Sequence, residues 1–421
     1  MPTPLWTDDA RRQHLRRNFF ASAIDGGFYQ AAMALLAVET FLPALVHQLG
    51  GPTWLVALSP SLYQYGFLIL PVFVAARTEQ LRRFMPLIAW SSIPQRTIPL
   101  LSGLALLFLR DSHPRLTLWL VALTPLLISC FGGLNVTAFW QLFAKVLPAN
   151  RRSSNLGLRN ILGTVLGFAV ATAGATVLAR RGTLEGAGLL YVGSFGFMLL
   201  SLVFFCRMRE LPHEPPPHDP DHDARARLRS LPTLWRSDAI FRRYVTARVC
   251  LTGLGAFTPF LSLHALAALD RPESYVGRFV AAQMFGGILG NLLTAWIGDR
   301  WSSRAVVLLG GWLSLLLCAA APFPLGETGF LVLFALFGAV TFINLNGAST
   351  LVLELFPAAR RTNCFALSQL LLAPAMLLAA LSSAWLRDAA GTLWIGAALA
   401  AVLTAAGLRC YYRLPAAAVA E

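Results

Sequence analysis

At 421 residues the chain is 56% hydrophobic and only 13% charged, which excludes an ordinary soluble protein. Its net charge of +14 sits almost wholly between apolar runs, where positive-inside bias and anionic lipid explain it, so a nucleic-acid role is excluded. The six cysteines lie singly in or at the ends of apolar runs, without metal or redox spacing, and neither a cofactor nor a bound metal is expected.

About 20 mostly apolar residues cross roughly 30 Å of hydrocarbon. Twelve such runs follow in order: 19–46, 55–76, 84–109, 117–147, 156–179, 188–206, 245–267, 277–298, 305–322, 329–356, 364–386 and 392–410. The first is too long for a cleaved signal and is expected to stay. Of the 34 basic residues, 25 fall on the side that holds both chain ends and six on the other. That count takes Lys145, Arg151, Arg152 and Arg159 together as one connection, with Arg96, Arg248 and Arg278 inside or at the ends of spans. Basic loops stay in the cytoplasm, so both termini are expected there, as an even number of spans also requires. Arginine supplies every basic residue but Lys145, which points to a GC-rich bacterial genome and the inner membrane.

The first span carries Asp25 and Glu39, 14 residues apart. Two heptads bring them to nearly one face with about 21 Å of rise between them. The third carries Arg96 between Pro94 and Pro99. A charge at a span centre costs about 2.5–3.5 kcal/mol on insertion scales, so these residues are candidates for proton coupling. A carboxyl group that alternates between water and apolar surroundings takes up and releases a proton, and a guanidinium holds it charged until something displaces it. The plainer reading makes Asp25-Gly26-Gly27 a close helix contact, Arg96 a fixed buried partner, and Glu39 a group reaching the outer interface.

A polar insert, 207–244, divides the spans six and six. Its first part is rich in Pro, His and Asp and reads as extended, solvated chain. His213, His218, His222, Asp219, Asp221 and Asp223 lack the preorganisation of a metal site, and a flexible linker is the preferred reading. From Ala224 to Tyr244 arginines alternate with Leu228, Leu231, Leu234, Trp235 and Phe241, an amphipathic segment suited to the membrane face.

The halves repeat. Pro148-Ala149-Asn150-Arg151-Arg152 follows span 4, and Pro357-Ala358-Ala359-Arg360-Arg361 follows span 10. The same offset of 209 residues places Asn135 on Asn344 and Lys145 on Glu354. Parallel six-span halves are a transporter architecture.

At these residues, and at Gly298-Asp299-Arg300-Trp301-Ser302-Ser303-Arg304, the chain resembles the major facilitator superfamily over nearly its whole length. The N-terminal copy of that loop, Arg77 to Arg83, lacks the usual Gly and Asp and offers Glu79 instead. The resemblance implies an all-α polytopic fold of two pseudosymmetric six-helix bundles, 1–206 and 245–421, with alternating access between them. It implies a cytoplasmic gate from Glu79, Arg82, Arg83, Asp299, Arg300 and Arg304. It also implies a substrate cavity walled by the first, second, fourth and fifth spans of each half. There the sequence offers Tyr29, Gln30, Tyr63, Gln64, Tyr65, Asn135, Trp140 and Gln141, then Gln283, Asn291, Asn344, Asn346 and Gln369. Amides and aromatics with few charges suit a polar, neutral or amphipathic solute, although each also serves as an interhelical hydrogen-bonding group.

The expectation is a proton-coupled secondary transporter of a small organic solute, working as a monomer with protons and lipid as its other partners. An exporter of amphipathic compounds and a non-transporting receptor or assembly factor are the rivals. The glycines of span 5, Gly157, Gly163, Gly167 and Gly174, are expected to be packing positions, without the Gly-Pro pair of the family's drug antiporters. No nucleophile elbow, phosphate loop or His-rich metal motif lies beside the spans, so an enzyme is not expected.

Overall fold

The computed structural model describes residues 7–215, 224–356 and 358–415; the side chains of 75, 76, 149, 150, 153, 224–227, 299, 353 and 358–363 also fall outside the described set. Every regular element within it is helical, because backbone polar groups in hydrocarbon must be satisfied inside their own segment. Twelve of these helices are long and apolar enough to cross a membrane, matching the predicted runs one to one. Spans 1 to 12 are Asp8–Gln48, Thr53–Val74, Met85–Leu109, Pro114–Val146, Ser154–Arg181, Thr183–Cys206, Ala239–Leu269, Glu273–Gly298, Ser303–Ala320, Glu327–Val352, Cys364–Ala390 and Trp394–Tyr412. The chain is a multi-pass membrane protein.

Local chemistry sets the ends. Asp238 caps span 7, accepting from the N–H groups of Ile240 and Phe241 at 2.9 Å each, and Ser302 caps span 9 through Ala305 N–H. The first span of each half is broken before its C-terminal end. Span 1 runs as Asp8–Leu36 and Phe41–Gln48, with Ala37 held at φ +38° between them. Span 7 passes from Ala239–Leu251 through tight turns at Thr252–Ala256 and Thr258–Phe260 before Leu261–Leu269 resumes the helix. Pro259 supplies no N–H there.

Contacts divide the chain into two units. Unit 1 holds residues 1–36, 63–170 and 187–228, and unit 2 holds 37–62, 171–186 and 229–421. In unit 1, spans 2 and 4 cross at Gly66 and Gly133, where a Cβ would come within 2.1 Å of the facing backbone. Unit 2 repeats that crossing between spans 8 and 10 at Gly286 and Gly338. Small residues let backbones approach where lipid offers no hydrophobic drive. Gly163 of span 5 likewise abuts Gln30, whereas Gly157 faces open space and is not a packing position.

The insert departs from expectation. Its first residues lie outside any helix, and Arg209, Glu210 and His213 are bound to residues elsewhere in unit 1 rather than free in solvent. Buried Asn18 donates to Arg209 O (3.1 Å) and accepts from its N–H (2.8 Å). The Glu210 carboxylate, 1% exposed, accepts from Phe84 and Met85 N–H and from Lys145 Nζ at 2.8 Å. It thereby satisfies orphan donors at the positive end of span 3. His213 N–H donates to Arg82 O (3.1 Å); His218, His222, Asp219, Asp221 and Asp223 lie outside the described residues. Ala224–Ser237 is a helix, and its Leu231 and Leu234 pack on the unit 2 core of Phe241, Tyr244, Phe356 and Leu367.

Candidate functional site

Asp25 is the centre of a buried network in unit 1. Gly26 and Gly27 follow it on span 1, and the absence of Cβ atoms there lets the stem of Arg159 and the side chain of Leu162 lie directly against the helix. Arg159 then donates from Nη1 to Asp25 Oδ2 (3.0 Å) and to Ser22 O (3.0 Å). Its guanidinium lies 5.1 Å from the centre of the Phe139 ring, a cation–π contact.

The other carboxylate oxygen faces spans 3 and 6. Ser201 Oγ–H donates to Asp25 Oδ1 at 2.6 Å. Arg96 Nη2 donates to Ser201 Oγ (3.2 Å) and stands 3.9 Å from Asp25 Oδ1. Arg96 is further fixed by Met198 O (2.9 Å) and Ser92 O (3.4 Å). Asp25 is 3% and Arg96 6% exposed, so this is a desolvated carboxylate between two guanidiniums, where pairing offsets the cost of burial.

A cavity of about 120 Å³ opens beside the network, lined by Asp25, Tyr29, Gln95, Arg96, Asn135 and Arg159, with Phe67, Phe139 and Phe205 among the apolar walls. Four of the sequence candidates, Asp25, Tyr29, Arg96 and Asn135, thus share one space. Arg159 and Gln95 complete it and are not among the candidates. The charge count groups Arg159 with the basic connection before it, although the predicted run 156–179 includes it; the helix runs unbroken over Ala149–Arg181 and carries it in span 5. The Arg159-Asn160 pair behind the basic loop is the signal that could have found it.

The other candidates of unit 1 lie off this cavity. Gln30 donates to Asn160 Oδ1 (3.2 Å). Tyr63 meets Phe67 edge-on at 5.4 Å. Gln64, Tyr65 and Gln141 are half-buried, and Trp140 is exposed, packed edge-on to Phe139 and Phe143.

In unit 2 the break in span 1 itself carries Glu39, whose Oε2 accepts from Gln283 Nε2 (3.1 Å) and Thr341 Oγ1 (3.5 Å). Thr40 donates to the same glutamine. All of these partners are neutral. Asn346 donates to Asn291 (2.8 Å) and Asn344 to Ser314 (3.1 Å). Gln369 keeps a buried Oε1 without a partner among the described residues. Beside it, Arg248 donates to Ser368 Oγ (3.3 Å) and stacks over Tyr244.

Of the gate residues, Arg82 offers its carbonyl to His213, and Arg83 and Arg300 are exposed. Arg304 donates to Tyr412 O at 2.6 Å, Glu79 is half-buried, and the side chain of Asp299 lies outside the described residues. Glu354 accepts from Ser303 N–H (3.3 Å) and Oγ–H (2.5 Å) at the start of span 9.

No family model and no curated protein matches the sequence. Solved structures do. The chain is similar to the nucleoside transporter NupG, at 12% identity and TM-score 0.70 over 93% of this chain and 100% of that one. It is similar to the Escherichia coli fucose:proton symporter FucP, at 16% and 0.63 over 94% and 97%. It is also similar to the xylose transporter XylE of E. coli, at 11% and 0.65 over 94% and 95%. The chain has the major facilitator superfamily fold.

Proposed function

We propose that this protein is a secondary active transporter that moves a small organic solute across the inner membrane by alternating access, coupled to protons, with both termini in the cytoplasm. The observation that carries the reading is Asp25. A carboxylate bridged to Arg96, Arg159 and Ser201 at the wall of a cavity is a switch in physical terms. A proton or a solute group that displaces either guanidinium changes the balance of charge on three spans at once. Among the structures it resembles are a fucose:proton symporter, a D-xylose–proton symporter and a nucleoside transporter, which supports solute transport with proton linkage.

Glu39 and the loop from Gly298 to Arg304 belong to the same reading, as a second proton site and a cytoplasmic gate. The test is solute-triggered proton movement in proteoliposomes holding wild type or Asp25→Asn. Proton flux in wild type, lost in the variant while solute binding survives, is the expected result. Unchanged flux in the variant removes Asp25 from coupling. No flux with any solute, from folded protein, favours the receptor or assembly-factor reading.

A further inference from the structure

We propose that Arg248 is an anion-binding residue and that the solute carries at least one oxyanion, a carboxylate or a phosphate; this rests on the transport reading above. Arg248 lies about 14 Å of helical rise from the start of span 7 and is half-buried. Among the described residues it has no carboxylate partner, whereas Arg96 and Arg159 share Asp25 and Lys145 holds Glu210. Its polar contacts are all neutral: Nη1 donates to Ser368 Oγ (3.3 Å), and Tyr244 meets it through its ring at 5.6 Å and through a side-chain hydrogen bond. A guanidinium has five donors and stays charged at physiological pH. A cation of that kind inside a span is retained where an ion or solute meets it.

The surroundings hold Arg248 ready. Ser368 spends its own hydrogen on Phe365 O (2.7 Å) and so presents only lone pairs to Arg248. Tyr244 is pinned by its hydroxyl to Ala348 O (3.0 Å). One edge of the guanidinium is therefore fixed, and the remaining N–H groups keep the planar fork that matches two oxyanion oxygens.

Unit 1, taken by itself, has the same sign. Arg96 and Arg159 outnumber Asp25, and Arg159 lines the cavity with both of its hydrogen bonds made through Nη1. In unit 2, Glu39 does not compensate Arg248, since its partners are Gln283 and Thr341. The amides and aromatics of the spans suggest a neutral or amphipathic solute when Arg159 is left out of the candidate cavity residues. With Arg159 and Arg248 both inside spans, the embedded charge favours an anion.

The test uses the full chain in nanodiscs of phosphatidylcholine alone. Thermal unfolding is followed with inorganic phosphate, glucose phosphate, succinate and gluconate, against xylose and uridine. At least one anion is expected to raise the melting temperature saturably. Arg248→Gln should then raise its half-saturating concentration about ten-fold or more and Arg248→Lys about three-fold, since lysine keeps the charge but loses the fork. Arg248→Lys also serves as the folding control.

The proposal is overturned if only neutral solutes stabilise, if Arg248→Gln leaves the anion effect unchanged, or if no anion acts on protein with an intact transition. It is also overturned if the effect needs phosphatidylglycerol in the disc, which would make the oxyanion a lipid headgroup. Proton-coupled flux of a neutral solute, untouched by Arg248→Gln, leaves transport standing and overturns the anion. Anion binding lost in Arg248→Gln, with no flux of any solute, supports this site and overturns transport alone.

Discussion

Asn135 in span 4 and Asn344 in span 10 make the same hydrogen bond: each donates Nδ2–H to a serine, Ser92 on span 3 at 3.5 Å and Ser314 on span 9 at 3.1 Å. The internal repeat therefore reaches down to single polar contacts, and both amides tie neighbouring spans together. They then diverge. Asn135 lines the unit 1 cavity, while Asn344 is pressed against Gly310 and leaves Oδ1 buried without a partner among the described residues. Asn344→Ala and Ser314→Ala are each expected to lower thermal stability, with a coupling of about 0.6 kcal/mol in the double variant, as is average for such bonds in membranes. Asn135→Ala should also weaken solute binding. Melting curves of the four proteins, with binding measured on the last, check this.

Gly26 holds the Asp25–Arg159 pair together through what it lacks. A Cβ there would stand 2.0 Å from Cγ and Nε of Arg159, so the side chain must swing away and lose its bond to Asp25. Gly26→Ala and Arg159→Gln are both expected to lower solute-driven flux in proteoliposomes, and to a similar degree. The backbone is helical at this position, and alanine is a good helix former. A Gly26→Ala protein that melts as wild type and transports as wild type would show that the pair is dispensable.

The twelve spans, the repeat and the presence of Asp25 and Arg96 as charges inside spans were legible because the bilayer fixes both the length of an apolar run and the cost of a charge within it. The role of Arg159 was not: it falls inside the predicted fifth span, 156–179, yet the charge count groups it with the basic cluster before it, and nothing local shows that its partner is Asp25 on span 1. Ser201 and Gln95 were invisible for another reason: serine and glutamine are common in membrane helices, and only the crossing of spans 1, 3 and 6 gives these two a partner. The burial of Glu210 and Asn18 was illegible for a third. Proline-rich composition reads as solvated chain, while the donors that capture Glu210, on Phe84 and Met85, lie more than a hundred residues away.

Glu39 allows a test of proton coupling separate from Asp25. Its carboxylate accepts from one amide and one hydroxyl, and the oxygen of a glutamine side chain can accept both bonds. Glu39→Gln should therefore melt close to wild type. If Glu39 carries a coupling proton, the variant exchanges solute across the membrane in counterflow yet no longer accumulates it against a gradient driven by pH. Accumulation equal to wild type would limit Glu39 to a packing role at the break in span 1.

Lys145 stands where the repeat places Glu354, and the two halves solve one problem with opposite charges. Each third span, 3 and 9, begins with unpaired backbone donors at its positive end. In unit 2, Glu354 reaches Ser303 directly. In unit 1, Lys145 cannot accept a hydrogen bond, and it instead holds Glu210, which accepts from Phe84 and Met85. With Lys145 8% and Glu210 1% exposed, removing either partner should cost about 3–5 kcal/mol, the range for breaking a buried pair. The charge reversal Lys145→Glu with Glu210→Lys separates pairing from capping. If the ion pair alone mattered, reversal would restore stability. Because a lysine in place of Glu210 cannot accept from Phe84 and Met85, the double variant is expected to remain destabilised. Lys145→Glu combined with Glu210→Gln should do better, since the glutamine oxygen still caps span 3 and the carboxylate introduced in place of Lys145 then faces a neutral amide. Chemical or thermal unfolding of the single and double variants ranks them. A fully restored reversal would show that the pair, not the cap, holds the segment after span 6 in place.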